Sequence, residues 1–257
     1  LDFTTDLNFR LWGDTVTLAA KAYFYRLAPT YYQRHYHAKH FWWDNDGLNK
    51  ETRTRIEGLL SYRKTQTSLR VAIEEIQNYT YFGMSYDATT NGRTQMSAGI
   101  HQAGGNINLL TAQLRQDFRL GILRWENTLT YQNSSNGDVL PVPTLNVFSN
   151  LYLKFKIVNE LAVDLGGDVT FFTKYYAPDF APQLNQFCIQ QNVESRVKTG
   201  DYPYIDVYAN MHLKHTRFFV MFSHVTAGNF SRDYFLTPHY PQNSRVFRIG
   251  VSWNFFN

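Results

Sequence analysis

The stretch Ile205–Lys214, IDVYANMHLK, decides the fold because its alternate residues differ in chemistry. One set of alternate side chains is apolar and consists of Ile205, Val207, Ala209, Met211 and Leu213. The other set is polar and consists of Asp206, Tyr208, Asn210, His212 and Lys214. Side chains on a β-strand point alternately to its two faces. The stretch therefore predicts a strand with one apolar and one polar face.

The same alternation recurs along the chain and predicts about eleven strands. The segment TQMSAGIHQAGGN, residues 94–106, would supply a twelfth strand. The run Phe218–Phe222 predicts a strand that is apolar on both sides, so its faces stay unassigned. Because the sequence has no amphipathic helical stripe and no linker, residues 1–257 are predicted to form a single domain.

The composition excludes several classes of protein. A single cysteine among 257 residues rules out an internal disulfide. The formal charge of +4 is spread over isolated residues, without the basic runs of a nucleic-acid-binding protein. No window approaches the roughly 20 apolar residues of a membrane-spanning helix. Aromatic residues make up 17% of the chain, and such enrichment is typical of sheets, interfaces and the boundaries of membranes.

A soluble β-sandwich would also show alternating strands, but three features favour a membrane barrel. The segments are about 10–14 residues long, as tilted membrane-spanning strands need, whereas ordinary strands have about 5–6. Short connections such as WGD alternate with long ones such as Lys174–Asp201, which is typical of outer-membrane barrels. Charges of both signs keep to one face. We therefore predict an all-β, antiparallel, up-and-down transmembrane β-barrel in the outer membrane of a Gram-negative bacterium.

The strand number suggests that the barrel is larger than this chain. Bacterial single-chain barrels have an even number of strands. The expectation is therefore that 11–12 strands lie here and that the chain is the C-terminal part of a barrel of about 14–18 strands, without its N-terminal strands and signal peptide. The C-terminus would then be periplasmic and the long loops extracellular.

The polar face of the strands is predicted to line a water-filled interior. Its basic residues would bias the interior towards anions. Alternatively Glu57, Glu74, Asp117 and Glu126 neutralise them in a transverse network, which is the preferred arrangement. The predicted lining residues are Arg53, Arg55, Glu57, Arg70, Glu74, Arg115, Asp117, Arg124, Glu126, Lys154, Lys156, Asp164, Asp168, Asp206, His212, Lys214 and Arg248.

Two motifs contain residue types found in metal or catalytic sites. His35, His37 and His40 have a spacing that could chelate a transition metal, but a folded loop of aromatic and polar residues is the preferred interpretation. The segment YQNSSNG, Tyr131–Gly137, is similar to the serine motif of outer-membrane phospholipases, but Asn133 stands where the activating histidine is needed. No catalytic residue, metal or cofactor is therefore predicted.

The C-terminal segment resembles that of the "putative porin" family of Bacteroidetes-type outer membranes. The matching features are the TPHYP loop, RVFRIGVSW and the closing aromatic-Asn pair, with NYTYFG and LRQDFRLGILRWEN further upstream. The resemblance implies an outer-membrane barrel whose aligned strands form a diffusion channel, and it implies no catalytic residues.

The function expected from these patterns is a passive diffusion channel for small polar solutes. The alternative is a structural or scaffold barrel within a larger outer-membrane complex. The expected surroundings are outer-membrane lipid and lipopolysaccharide, with a homo-oligomer or other outer-membrane proteins as possible partners.

Overall fold

The computed structural model describes residues 1–89, 92–229 and 231–255, so Phe256 and Asn257 of the closing motif lie outside the described residues. The strands in chain order are β1 Asp2–Leu11, β2 Asp14–Leu27, β3 His35–His37, β4 Trp42–Asp44, β5 Glu51–Tyr62, β6 Thr67–Gln77, β7 Thr80–Thr89, β8 Gly92–Gln102, β9 Ile107–Leu120, β10 Leu123–Ser134, β11 Leu145–Ile157, β12 Leu161–Phe172, β13 Asp179–Ala181, β14 Gln186–Gln190, β15 Tyr204–Leu213, β16 Thr216–Ser223, β17 Phe235–Thr237, β18 Tyr240–Pro241 and β19 Val246–Trp253. One helical turn, α1, spans Tyr31–Arg34, and a 3₁₀ turn spans Val193–Ser195.

Eleven of these strands form one antiparallel sheet, in the order β1-β2-β5-β6-β9-β10-β11-β12-β15-β16-β19. The eleven strands follow one another round the sheet in the order of the sequence, and the strands left out of the order belong to the long connections, which is an up-and-down topology, as predicted. The segment that would have supplied a twelfth strand forms β8 instead, in a separate four-stranded sheet with the order β13-β14-β7-β8. The alternative of a twelve-stranded wall is therefore wrong for the described residues.

The connections alternate between short and long, as the sequence predicted. The short turns all lie at one rim of the sheet and close tightly, with Trp12 (φ 49°) and Gly13 (φ 84°) both in the left-handed region between β1 and β2. Two such residues in succession match the twist of a hairpin. The long connections therefore all leave the opposite rim, and they span residues 28–50, 78–106, 135–144, 173–203 and 224–245.

The apolar face of the large sheet is the exposed one. Near the strand centres Ile56 is 65% exposed and Leu165 is 48% exposed, whereas Glu74 on the polar face is only 5% exposed. A soluble sheet would show the reverse, because apolar area is driven out of water at roughly 25 cal/mol per Å². An outward apolar face with a charged inner face is the arrangement of a barrel wall in lipid.

Strand pairing assigns the sides that the sequence left open in β16. Phe218 pairs with Val251 and Val220 with Ile249, on the apolar face. Phe219 lies on the polar face opposite Gly250. A Cβ atom on Gly250 would clash with the Phe219 ring. Glycine at this position therefore makes room for the one large aromatic ring that β16 turns inward.

The long connections pack together into a unit that we call the loop cap, made of the described residues within 28–50, 78–106, 173–203 and 224–245. Its apolar core consists of Trp43, Met84, Ala181, Leu184 and Cys188. The cap sheet joins segments that are distant in sequence, since β14 pairs with β7 in parallel. Where the chain is described, no helix is long and apolar enough to cross a membrane.

Candidate functional site

The candidate site is the polar face of the eleven-stranded sheet. Directly opposed residues on paired strands share a face, so the register fixes which side chains lie together. Sixteen of the seventeen predicted lining residues fall on this face: Arg53, Arg55, Glu57, Arg70, Glu74, Arg115, Asp117, Arg124, Glu126, Lys154, Lys156, Asp164, Asp168, Asp206, His212 and Arg248.

Lys214 does not belong to this series. Strand β15 ends at Leu213, and Lys214 lies in the turn before β16 with φ 52°. The polar and apolar alternation in the sequence extends one residue beyond the strand. A two-residue turn needs left-handed backbone, so the extended conformation ends before Lys214. The placement of Lys214 on the lining strand was wrong for this reason.

The densest ion network joins β5 and β6. The Arg53 guanidinium donates to Glu51 at 2.6 Å and to Glu74 at 3.4 Å. Arg55 donates to Glu57 at 2.8 Å and to the second oxygen of Glu74 at 3.3 Å. Glu74 thus bridges two arginines, which offsets the cost of burying its carboxylate. These contacts form part of the neutralising network that the sequence analysis preferred.

The remaining lining charges are held in different ways. Arg115 pairs with Asp117 at 3.2 Å, and Lys154 pairs with Asp164 across the strands at 3.6 Å. Arg124 donates to the backbone oxygen of Gly121 at 2.6 Å. Glu126 does not join the predicted ion network among the described residues but accepts a hydrogen bond from the Tyr152 hydroxyl at 2.9 Å.

The register also creates a row of acidic side chains that sequence reasoning missed. Four carboxylates and one amide lie directly opposite one another on five successive strands: Asp117, Glu126, Asn150, Asp168 and Asp206. Each of these residues belongs to the polar set of its own strand. Their alignment depends on pairing offsets between strands, for which a single sequence carries no signal.

Tyrosine hydroxyls are the second feature that sequence reasoning did not single out. Tyr208 donates to Asn150 at 2.8 Å, reaching over β12 to the next strand but one. Its partner directly opposite on β12 is Gly166, where a Cβ atom would clash with Tyr152 on β11. The period-two pattern had already placed Tyr152 and Tyr208 on the polar face, so the signal was present.

The histidine-rich motif forms the β3–β4 hairpin of the loop cap. His35 Nδ1 lies 2.9 Å from Asp44 and its Nε2 lies 3.1 Å from Asp46, while His37 Nε2 lies 3.0 Å from Asp44. The three ring nitrogens that make these contacts are therefore engaged with carboxylates. Over the described ranges no group of three or more histidine, cysteine or acidic side chains is arranged to hold a metal ion.

Acidification is expected to loosen this hairpin. Hydrogen bonds from His35, and then from His37, hold the pKa of Asp44 below its usual range. A carboxyl whose folded pKa is lowered contributes stability above its unfolded pKa, roughly 3.9, and that contribution is lost as the pH falls through the folded value. We expect hydrogen-exchange protection of residues 35–44 to fall at this acidic step. The Asp44→Asn variant should lack the step, and an identical step in that variant would contradict the assignment.

The only cysteine of the chain is part of the cap core. Cys188 is fully buried, and burial raises the pKa of its thiol to about 12. The thiolate is the reactive form, so we expect iodoacetamide at pH 8 to label the folded protein at least about a hundredfold more slowly than the unfolded chain. Mass spectrometry checks this without ambiguity because no other cysteine competes. Equal labelling rates would show that the cap core opens freely.

The serines of the YQNSSNG motif accept hydrogen bonds from backbone amides, one in the neighbouring strand β9 and one in their own turn. Ser135 Oγ accepts a hydrogen bond from the Asn108 amide at 2.8 Å, and Ser134 Oγ accepts one from the Asn136 amide at 3.3 Å. This is how serine stabilises a loop. The contacts support the interpretation of the segment as a turn.

Comparisons with known proteins give one family and one fold. The model of the family described as "Putative porin" matches residues 1–257. No curated protein matches the sequence. Among solved structures, the "Copper transporter OprC" is similar with a TM-score of 0.68 at 14% identity over 99% of this chain and 39% of that chain. The siderophore receptor PirA from Acinetobacter baumannii has a TM-score of 0.60 at 15% identity, over 99% of this chain and 41% of that chain.

A third solved structure is the ferric enterobactin receptor PfeA in complex with BCV-L6, with a TM-score of 0.60 at 18% identity over 88% of this chain and 35% of that chain. At such identities the likeness shows the fold alone. The chain spans about two fifths of the length of the solved structures that it matches. The fold is that of an outer-membrane β-barrel, as predicted.

Proposed function

The chain belongs to the putative porin family, whose model matches residues 1–257, and on that premise we propose that it is part of a passive diffusion channel for small polar solutes. Family and fold together support an outer-membrane β-barrel that carries solutes. That small polar solutes pass through the barrel by passive diffusion is what we propose beyond this. Its orientation would put the short turns and the C-terminus in the periplasm and the loop cap outside the cell, as is usual for such barrels.

The observation that carries the proposal is the division of the wall into two chemistries. The outer face exposes apolar side chains at the strand centres, and the inner face carries the charged network around Glu74. Lipid requires the first, while water and polar solutes are accommodated by the second. Barrels of about eight strands are filled by side chains, and about 16 strands leave an aqueous channel. Eleven strands in one sheet already exceed the number in the class that side chains fill.

Passage of this kind needs no chemical step, so we propose no enzymatic activity for the chain. Selectivity would come from the lining charges and from the loop cap, which stands over the rim where solutes would enter. The proposed surroundings are outer-membrane lipid and lipopolysaccharide. We also propose a homo-oligomer or other outer-membrane proteins as partners, which the exposed apolar face of the wall could contact.

Conductance of the full-length protein in a planar lipid bilayer tests the proposal. We expect stepwise, ohmic conductance in potassium chloride after insertion. Arg55→Gln should shift the ratio of cation to anion permeability towards cations, because it removes a lining positive charge. Leu165→Met, on the lipid face, is the matched control and should leave that ratio unchanged. Bilayers that stay sealed at all voltages after insertion would overturn the proposal of a passive channel.

A scaffold role is the second candidate, and one cap surface favours it. Phe187 is 62% exposed and packs against Phe180, which also contacts Tyr240 at a ring-centroid distance of 5.8 Å. Exposed aromatic clusters are frequent at protein interfaces. Co-purification of a fixed partner after mild detergent extraction, lost in Phe187→Ser, would support this candidate. Recovery of the barrel without a stoichiometric partner would argue against it.

A further inference from the structure

The end of the wall that carries the short turns holds a large excess of positive charge. We call it the short-turn rim and define it as the five short turns with three strand residues on either side of each, which are residues 9–16, 60–69, 118–125, 155–163 and 211–218. Its acidic residues are Asp14 and Glu160, and its lysines and arginines are Arg10, Arg63, Lys64, Arg119, Arg124, Lys156, Lys214 and Arg217. This excess is larger than the formal charge of +4 of the whole chain, so the rest of the protein is net negative.

The positive charges of the short-turn rim are not neutralised within the part of the chain that the structure describes. None of the rim lysines and arginines makes an ion pair there, whereas Arg53 in the wall and Arg93 in the cap do. All of them are exposed except Arg124, which is half-buried. Arg119 lies directly opposite Arg124 on the same face, and like charges in such a pair are destabilising. The rim therefore points to an anionic partner supplied by another molecule.

The position of these charges disfavours lipid and small anions as that partner. Five of them lie on the polar face of the wall, namely Arg10, Arg119, Arg124, Lys156 and Arg217. Lipid headgroups would border the opposite, apolar face. The five extend from β1 to β16, nine strand spacings apart in the sheet, which is roughly 40 Å along the wall. A small anion spans one or two of these charges, whereas a macromolecule with carboxylates along an extended surface matches the row.

Apolar side chains at the tips of the turns favour a protein over an anionic glycan. Residues 155–157 of β11 pair with β12 but not with β10, so the β11–β12 hairpin extends past the turn between β9 and β10. Val158 at the tip of this hairpin is 87% exposed, and Ile122 in the neighbouring turn is 54% exposed. Val158 also has φ 52°, which is unfavourable for a β-branched residue. Protein interfaces combine apolar contacts with arginine, and a glycan has no apolar side chains to offer.

We propose that the short-turn rim is a docking surface for a soluble protein that presents an acidic segment with interspersed apolar side chains. Its carboxylates would bind the guanidinium and ammonium groups of the rim, and arginine can hold a carboxylate through two parallel hydrogen bonds. Its apolar side chains would cover Val158 and Ile122. The inference goes beyond the proposed channel. Only the side of the membrane on which the partner is met, the periplasm, rests on the proposed orientation.

Fluorescence anisotropy of labelled peptides with the protein in neutral phosphatidylcholine nanodiscs tests the docking surface. The probe is a peptide that repeats Glu-Glu-Leu, and we expect a dissociation constant of about 10 μM at low salt. Binding should weaken at least about tenfold between about 50 and 300 mM salt, because salt screens exposed charges. A Gln-Gln-Leu repeat should bind at least about tenfold more weakly, because it has no charge to offer the rim. Equal binding of these two peptides would overturn the proposal.

Two further ligands test the choice of a protein partner. A Glu-Glu-Ser repeat keeps the charge but lacks the apolar side chains, and it should bind about three- to tenfold more weakly than the Glu-Glu-Leu repeat. A hyaluronate fragment with the same number of carboxylates should also bind at least about threefold more weakly. If the hyaluronate binds as tightly as the Glu-Glu-Leu repeat, the partner is not a protein of this chemistry and the proposal is wrong.

Variants locate the binding. Arg119→Gln combined with Lys156→Gln should weaken binding of the Glu-Glu-Leu repeat by about three- to tenfold. Lys39→Gln combined with Arg232→Gln removes the same charge from exposed positions of the cap and should bind the peptide as the wild type does. Val158→Ser should weaken the Glu-Glu-Leu repeat by about threefold and leave the Glu-Glu-Ser repeat unchanged. Equal binding by the rim variant and the cap variant would overturn the assignment.

The docking surface and the channel fail in different ways. Conductance without peptide binding would remove the docking surface and leave the channel intact. Peptide binding without conductance would retain the docking surface and remove passive diffusion. Because the comparison of ligands uses the wild-type protein, a variant that fails to fold does not affect the conclusion.

Discussion

Leu151→Lys is expected to lower the free energy of unfolding of the barrel in lipid by about 2–4 kcal/mol. Leu151 lies in the middle of β11 on the outer face and is 49% exposed. A lysine there would place an ammonium group at the depth where hydrocarbon solvates it worst. The cost falls towards the interfaces, so a central position gives the largest effect.

The neighbouring residue supplies the control. Asn150 is the adjacent residue of β11 but lies on the polar face, in the acidic row between Glu126 and Asp168. Asn150→Lys forfeits the hydrogen bond from Tyr208, worth about 0.5–1.5 kcal/mol, and gains two nearby carboxylates. We therefore expect a lysine to be tolerated at position 150.

Urea unfolding of both variants in lipid vesicles, monitored by gel mobility of unheated samples, measures the difference. Equal destabilisation by the two lysines would mean that both faces lie in the same medium. That result would contradict the assignment of the apolar face to lipid, on which the proposed channel depends.

Asp179→Ala is expected to open the loop cap and leave the eleven-stranded sheet intact. Asp179 is fully buried at the start of β13 and pairs with Arg93 of β8 at 2.5 Å, with His239 at 3.6 Å. Removing one partner of a buried ion pair costs about 3–5 kcal/mol, because it leaves the other charge uncompensated. The ion pair connects three long connections, so its loss should free all of them together.

Burial has a cost for this pair even in the intact protein. Burial raises the pKa of Asp179 although Arg93 and His239 both favour its charged form. Replacing both partners by apolar residues of similar volume is often neutral or stabilising. The double variant Asp179→Leu with Arg93→Met should therefore keep the cap closed, and Asp179→Ala alone should not.

Hydrogen exchange of the β7, β13 and β14 amides is the measurement, with the β11 and β12 amides as an internal reference. Asp138→Ala is the matched control, because its ion pair with Arg196 is 2.6 Å long but leaves the Asp138 side chain 74% exposed. Exposed pairs contribute about 0–1 kcal/mol, so protection should hardly change. Equal loss of protection in both variants would show that burial does not govern the strength of these contacts.

The faces of the wall could be predicted from the sequence residue by residue. Val207 and Asp206 differ in chemistry, neighbour each other, and point in opposite directions because the strand repeats every two residues. The period of two, together with the turn residues between the segments, also predicted eleven strands in the wall and the alternation of short and long connections. The rule failed at Lys214, where a turn ended the strand, and it could not decide the sides of β16, whose apolar residues occupy both faces.

The ion pairs of the polar face were only partly predictable. Sequence identified Glu74 as a neutralising residue but not that it bridges Arg53 and Arg55. It did not predict that Glu126 bonds to Tyr152, nor the alignment of the acidic row. Contacts across strands depend on register, and register depends on the exact length of every turn, which local residue patterns do not specify.

The sequence by itself determined which side chains lie on the apolar face of the wall and which lie on the polar face, because that choice is local and repeats along each strand. Only the tertiary structure decided the loop cap. Tyr86 and Asn192 of the cap bond to each other although they are 106 positions apart. No local period records contacts of such separation, since they arise when distant segments bury their apolar surface together.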